Sequence, residues 1–268
     1  MRRLSPLVIA VASLLCLGSA CNGSASGDDT PSPQVAPAPS ATAPIGSSEA
    51  AGVMTGLAAV AKDRHYIAAY EFTRSRETVI VTASLATDGS WRFDVPGGAL
   101  GGKQDISIVQ NRQGTFQCVL DKTNACARVA KPEQDVPRRF DPLVQHPFTD
   151  WIDVLLSRTA PLSIAYAEPL VDGDEASRCF SMERNSVTVD APIPTSTLCL
   201  AEDGVITAVD SPWGSLRLSG EVMPPTSRAK LPAVVTDDEP LSTSPPPKPS
   251  PKPSKTPSPS PSKKPADD

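Results

Sequence analysis

The residues best suited to chemistry in this chain are four cysteines, two histidines and one glycine-rich run. The cysteines are Cys118, Cys126, Cys179 and Cys199, and the histidines are His65 and His146. A structural zinc site needs thiolates and imidazoles at close spacing, but no Cys-x-x-Cys is present. The run "GGALGGKQ" at 97–104 fits G-x-x-x-x-G-K. A phosphate-binding loop continues with Ser or Thr for magnesium and then a helix. Gln104 stands in that place and the strand-like "DISIVQ" follows, so the run reads as a mobile glycine loop. No nucleophile motif accompanies either histidine. His65 opens a strand-like stretch, and His146 lies in a loop between Gln145 and Pro147. Asp172, Asp174 and Glu175 lack the spacing of a calcium loop and read as a solvated turn. The expectation is a protein that is not an enzyme and holds no metal and no cofactor.

The front of the chain tells where the cysteines reside. Arg2 and Arg3 precede an apolar run from Leu7 to Leu17, broken only by Ser13, and the small residues Gly18, Ser19 and Ala20 follow. That is the layout of a secretory signal peptide, over 1–20. The run is shorter than the roughly 20 apolar residues of a membrane-spanning helix. Gly18-Ser19-Ala20-Cys21 resembles the bacterial lipobox, with Gly18 where Leu is commonest. In that family the cysteine sulfur receives a diacylglycerol and becomes the mature N-terminus. The resemblance implies that Cys21 is lipidated and that its acyl chains anchor the protein to the cell membrane, on the extracytoplasmic side. Stable attachment takes more than one acyl chain, which a diacylglycerol supplies.

Composition then divides what remains. Residues 21–48 are nearly all Ser, Ala, Pro, Gly, Asp and Thr and read as a disordered tether. From Pro240 to Asp268, 11 of 29 residues are Pro and five are Lys, so 233–268 is expected to be a disordered Pro/Ser/Lys-rich tail that favours extended polyproline II. Such an arm suits contact with an anionic wall polymer or an envelope protein. The stretch 49–232 is long enough for one domain with a real core. A formal charge of −5 argues against nucleic acid as a partner.

Within 49–232 two helices and about 10 to 11 strands are legible. "EAAGVMTGLAAVAK" places Val53, Met54, Leu57, Val60 and Ala61 on one helical face, with Ser48 as the cap. Alternating runs such as "HYIAAYEFT" and "TVIVTASLA" follow, with Asp88-Gly89 marking a hairpin. "PFTDWIDVLLSR" breaks the alternation and predicts a helix from about 150 to 158, capped by Thr149. Strands then resume through "GSLRLSGEV", with Asp203-Gly204 as a second hairpin turn. Four cysteines allow three pairings, and an exported chain is expected to use one of them. Cys118 and Cys126 flank a short turn on adjacent predicted strands, and Cys179 and Cys199 lie on consecutive ones. The expected bridges are 118–126 and 179–199.

The order of anchor, tether, helix, meander, helix and strands resembles the LolA-like superfamily, especially the LppX/LprG-type lipoproteins. The motif likeness rests on "DEASRCFSME" and "STLCLAEDGVITAVD" followed by "GSLRLSGEV". The resemblance implies an α+β fold, a curved half-open antiparallel sheet of about 10 to 11 strands packed on one N-terminal and one middle helix. It also implies a cavity for a lipid or other amphiphile between sheet and helices. Its lining would come from Tyr70, Phe72, Val81, Leu85, Ile106, Ile108, Leu218 and Val222 on the sheet and Trp151, Leu155 and Leu156 on the middle helix. The same alternation would also build a filled core, and then an envelope sensor or protein-interaction module is the alternative function.

Overall fold

Alternation along 66–72 puts Tyr66, Ala68, Tyr70 and Phe72 on one side of a strand, and in the computed structural model that side is buried. The structure describes residues 45–121, 125–157, 159–174, 176–185, 188 and 191–245. The signal peptide, Cys21, Glu175 and the tail beyond 245 lie outside the described residues. Helix α1 (Ile45–Asp63) opens the described chain. A meander follows, of β1 (Tyr66–Arg74), β2 (Glu77–Leu85), β3 (Trp91–Ala99), β4 (Gln104–Asn111), β5 (Gly114–Val119) and β6 (Ala125–Ala130). Two short 3₁₀ turns and helix α2 (Asp150–Leu156) cross to a second set of strands. These are β7 (Leu162–Ala167), β8 (Ser177–Arg184), β9 (Ser196–Ala201), β10 (Ile206–Ser211) and β11 (Gly214–Met223). A last short strand is β12 (Val234–Thr236).

Among the described residues, all twelve strands form one curved, unclosed sheet in the order β12-β6-β5-β4-β3-β2-β1-β11-β10-β9-β8-β7. Every pairing is antiparallel except β12 with β6. Strand β11 returns to β1, Tyr70 facing Leu218 and Phe72 facing Leu216, and so joins the two sets. The link from β6 to β7 runs between strands near opposite edges and carries α2 over one face. That inner face and both helices bury the main core, which includes Met54, Tyr70, Phe93, Ile108, Phe148, Trp151 and Leu155. The α+β expectation is met, with twelve strands in place of 10 to 11.

Both expected disulfides are present, Cys118–Cys126 and Cys179–Cys199. Each joins residues directly opposite across adjacent antiparallel strands. Both lie on the outer face, opposite the helices. The first sits in a small cluster with Val109, Phe116 and Ala229, and the second packs with Ala208 and Leu170.

Five local expectations are corrected. Helix α1 begins at Ile45, so Ser48 is inside it and does not cap it, and the helix reaches into the segment read as tether. Its fully buried stripe is Ala50, Met54 and Ala58, with Val53, Leu57 and Ala61 packed half-buried beside it, so of the expected face only Val60 is exposed. Thr149 precedes α2 but makes no capping bond. Its hydroxyl donates to the Gln145 carbonyl at 3.0 Å and to Asp150 Oδ1 at 2.9 Å. The run 97–104 is a hairpin turn fastened to the C-terminal segment, with Leu100 N donating to Ser242 O (2.8 Å) and Gly101 N to Thr243 O (3.1 Å).

The folded chain also continues past 232. Leu231 and Ala233 cover the outer cluster around Phe116, and β12 pairs with β6. Buried Gln117 then grips the backbone of Leu241 with both ends of its amide, accepting from Leu241 N at 2.7 Å and donating to Leu241 O at 2.9 Å. The residues 238–245 look like the rest of the Pro-rich tail in composition, yet they are ordered by these bonds.

Candidate functional site

Helices α1 and α2 lie side by side on the inner face, and two different clefts open at their two ends. Thr55 Oγ1 donates to the Leu155 carbonyl at 3.1 Å, and Lys62 pairs with Asp153. The first cleft is a groove of about 440 Å³ between the N-terminal half of α1, the C-terminal end of α2 and edge strand β7. Its walls are mainly small or apolar: Ala51, Gly52, Val154, Leu155, Leu162 and Ile164. A Cβ on Gly52 would meet nothing within 4 Å, so this glycine gives the groove part of its width.

The second cleft, of about 660 Å³, opens where the other ends of the helices meet the sheet. Its sheet side is one row of facing residues, Leu85, Trp91, Gln110 and Thr115 on successive strands β2 to β5. Its opposite side carries His65, Gln145, His146 and Asp150. Here the structure assembles a cluster that sequence reasoning missed. His146 Nε2 lies 2.8 Å from Asp141 Oδ2, and Nδ1 lies 2.7 Å from Asp150 Oδ1. Burial opposes a charge on this ring, but the hydrogen bonds it donates to both carboxylates, and their charges, outweigh it and push the pKa up to about 10. Burial opposes ionisation of Asp141 too, yet the bonds to His146, Gln145 and the Leu143 amide hold its carboxyl below the usual range. Both ring nitrogens are engaged, so the imidazolium has no lone pair for a base or a metal ligand. It is a clasp between the 3₁₀ segment and α2. The one available signal was the four-residue step from His146 to Asp150. Asp141 lies in an irregular stretch whose path no periodicity gives.

The eleven residues expected to line a cavity are brought together, but as one packed set. Tyr70, Phe72, Val81, Ile106, Ile108, Trp151 and Leu155 are buried, and Leu85, Leu156, Leu218 and Val222 pack half-buried against them. Only Leu155 of these lines the groove, Leu85 lines the second cleft, and Phe72 lines a smaller cleft of about 220 Å³. Two polar groups sit within this apolar set. The Tyr70 hydroxyl donates to the Ile206 carbonyl at 2.9 Å and lies 3.1 Å from the Tyr66 hydroxyl. Burial pushes the Tyr66 pKa up to about 12 and Tyr70 well above its ordinary value, so both stay neutral.

No family model matches this chain, and no curated protein matches it. Among solved structures, a DUF1329 family protein from Desulfovibrio piger ATCC 29098 is similar over 66 % of this chain and 90 % of its own. The identity is 10 % and the TM-score 0.27, too low for that likeness to carry an argument about fold or function.

Proposed function

We propose that this is a membrane-anchored extracytoplasmic lipoprotein of LolA-like fold, without catalysis, that holds an acyl chain of a lipid or other amphiphile in the groove between α1, α2 and β7. The observation that carries the reading is that groove, about 440 Å³ with apolar walls. It falls within the size range of small-molecule sites. Each methylene transferred from water to such walls contributes about 0.8 kcal/mol. The lipobox-like sequence before Cys21 supports the anchor.

The test uses the mature full chain. Native mass spectrometry is expected to find a bound lipid, and Gly52→Leu, which places a side chain in the groove, is expected to remove it with the circular dichroism spectrum unchanged. A bare protein that also takes up no added fluorescent fatty acid would sink the lipid reading. Labelling with radioactive palmitate is expected to mark the wild type and not Cys21→Ser. A label on both would remove the anchor.

A second reading, an envelope sensor or protein-interaction module, is favoured by the packing of the inner face. Phe148 stacks edge-on against Tyr70 at 5.1 Å and lies 5.2 Å from Phe93, so side chains occupy the middle of the sheet. Capture of one envelope protein by the bare chain, unaffected by Gly52→Leu, would favour it.

A further inference from the structure

The two edges of the sheet are built differently. At one, β12 is three residues long and runs straight into Asp237, Asp238 and Glu239. A short strand with charges beside it discourages pairing with another chain. At the other, β7 is six residues long, pairs with β8 without a bulge, and has no strand on its far side among the described residues. The sequence from Thr159 to Ala167, "TAPLSIAYA", carries no charge, and its proline precedes the strand.

The ladder fixes which groups face outward. Asn185 N donates to Pro161 O at 3.2 Å, so these two form a hydrogen-bonded pair. Antiparallel strands alternate bonded and non-bonded pairs. Ser163, Ala165 and Ala167 therefore direct their backbone groups at Glu183, Ser181 and Cys179. The next ladder agrees. Cys179 and Cys199 have Cα atoms 4.0 Å apart, the close spacing of a non-bonded pair, so Cys179 turns its backbone toward β7. Ile164 and Tyr166 thus point N–H and C=O away from the sheet, and no described residue bonds them there. Leu162 N is already taken, by Ala160 O at 2.7 Å.

The free groups at 164 and 166 complement themselves. A second β7 running antiparallel about Ala165 sets Ile164 opposite Tyr166 of the partner subunit, and the two-fold axis repeats the pair. A register centred on Ile164 would need the occupied Leu162 N. On the inner face Tyr166 is 47 % exposed, resting against Phe180 at 5.5 Å, and the pairing covers its open side with an aliphatic neighbour. On the outer face Ala165 meets its own copy and Ser163 meets a second Ala167, so the contacts are small and no like charges are opposed.

We infer that the β7 edge is a dimerisation surface whose occupant is a second copy of this chain, paired antiparallel about Ala165 into one continuous sheet. The dimer closes, because each chain contributes its unprotected edge to the same contact. The pairing rests on backbone groups and does not depend on a lipid in the groove. One strand pair is a small interface, so a Kd of about 100 µM or tighter is expected.

The test is sedimentation velocity on the mature full chain carrying Cys21→Ser, from about 1 µM to about 1 mM. A monomer–dimer equilibrium is expected. Ala165→Asp, at an exposed position, opposes two like charges across the axis and is expected to weaken the dimer about fivefold or more with the circular dichroism spectrum unchanged. Ala165→Cys puts two thiols on a non-bonded pair with Cα atoms about 4.5 Å apart, so mild oxidation is expected to link it covalently and to leave Ser163→Cys unlinked. Gly52→Leu should leave the dimer unchanged, so this inference and the lipid reading fail independently. A chain that stays monomeric throughout leaves the edge to a foreign strand or to none, and overturns the inference. So does association of Ala165→Asp as strong as that of the wild type, or linkage of Ala165→Cys no faster than that of Ser163→Cys. Dimers that form only after residues 22–44 are removed would assign the edge to the chain's own tether and overturn it as well.

Discussion

His146 joins two carboxylates that sequence places five residues before it and four after it, and its charge has a predictable effect on stability. Its folded pKa of about 10 lies above the ordinary 6.5, so its contribution is complete below 6.5 and is lost as pH rises toward 10. Asp141 is held below 3.8, so its contribution is present above 3.8 and is lost as pH falls through the lower folded value. The clasp is therefore complete between about pH 3.8 and 6.5. His146→Ala leaves the buried Asp141 carboxylate without its cation and is expected to cost about 3 kcal/mol. Denaturant unfolding should find that difference in this window and find it shrinking toward pH 10. Asp150 is 55 % exposed, and Asp150→Asn is expected to cost less than about 1 kcal/mol. A flat difference between wild type and His146→Ala from pH 5 to 10 would mean that the ring is neutral and the clasp is not ionic. A second residue-scale prediction concerns Gly204, which has φ +83° and would set a Cβ 2.6 Å from the Ala61 amide nitrogen. Both the strained backbone and the clash with α1 count against any side chain, so Gly204→Ala is expected to cost about 2 kcal/mol or more in the same assay. Asp203-Gly204 was legible as a hairpin turn, but the need for glycine there comes from a helix about 140 residues earlier in the chain, beyond local pattern.

At the scale of elements, strands such as β1 were legible because one face is buried and alternation follows from that, whereas β4 and β5, buried on both faces, were legible from the turn residues between them. β12 was not, because its three residues carry no period and sit in a stretch that reads as tail. What orders it is the unpaired edge of β6 and the amide of Gln117, partners more than 100 residues away. The disulfides were legible because their cysteines lie on strands that are neighbours in sequence. Each closes a short loop, with separations of 8 and 20 residues. Chain entropy assigns them about 2.5 and about 3 kcal/mol, so replacing either pair with Ser is expected to lower Tm, the 179–199 pair more. Calorimetric scans of the two double-Ser variants check the order. The groove was not legible, because its width comes from the meeting of Gly52, Val154 and Ile164 on three separate elements. The row Leu85, Trp91, Gln110, Thr115 was also hidden, since register across four strands decides it.

For the molecule as a whole, the segment from 224 to 245 ties the outer face to the inner one. Ala229 N donates to Ser90 Oγ at 2.8 Å on the outer side, and Leu241 packs against the inner core. Removing residues 233–268 is expected to strip the β6 edge of its partner and leave the Gln117 amide buried without Leu241. A free edge of that kind invites pairing with another copy. Sedimentation is expected to find the truncated chain forming larger assemblies than the full chain at the same concentration. A truncated chain that assembles no further and is equally stable would show that the strap does not protect this edge. The position of that strap also governs the order of events during folding. Residues Ala125 and Val234 pair across a long stretch of chain, as do Ile67 and Met223. A chain made amino end first must therefore hold two strand edges unpaired until its last strands arrive. Contacts so distant in sequence form slowly. The two strand edges that the last strands close are thus the latest parts of the sheet to be protected.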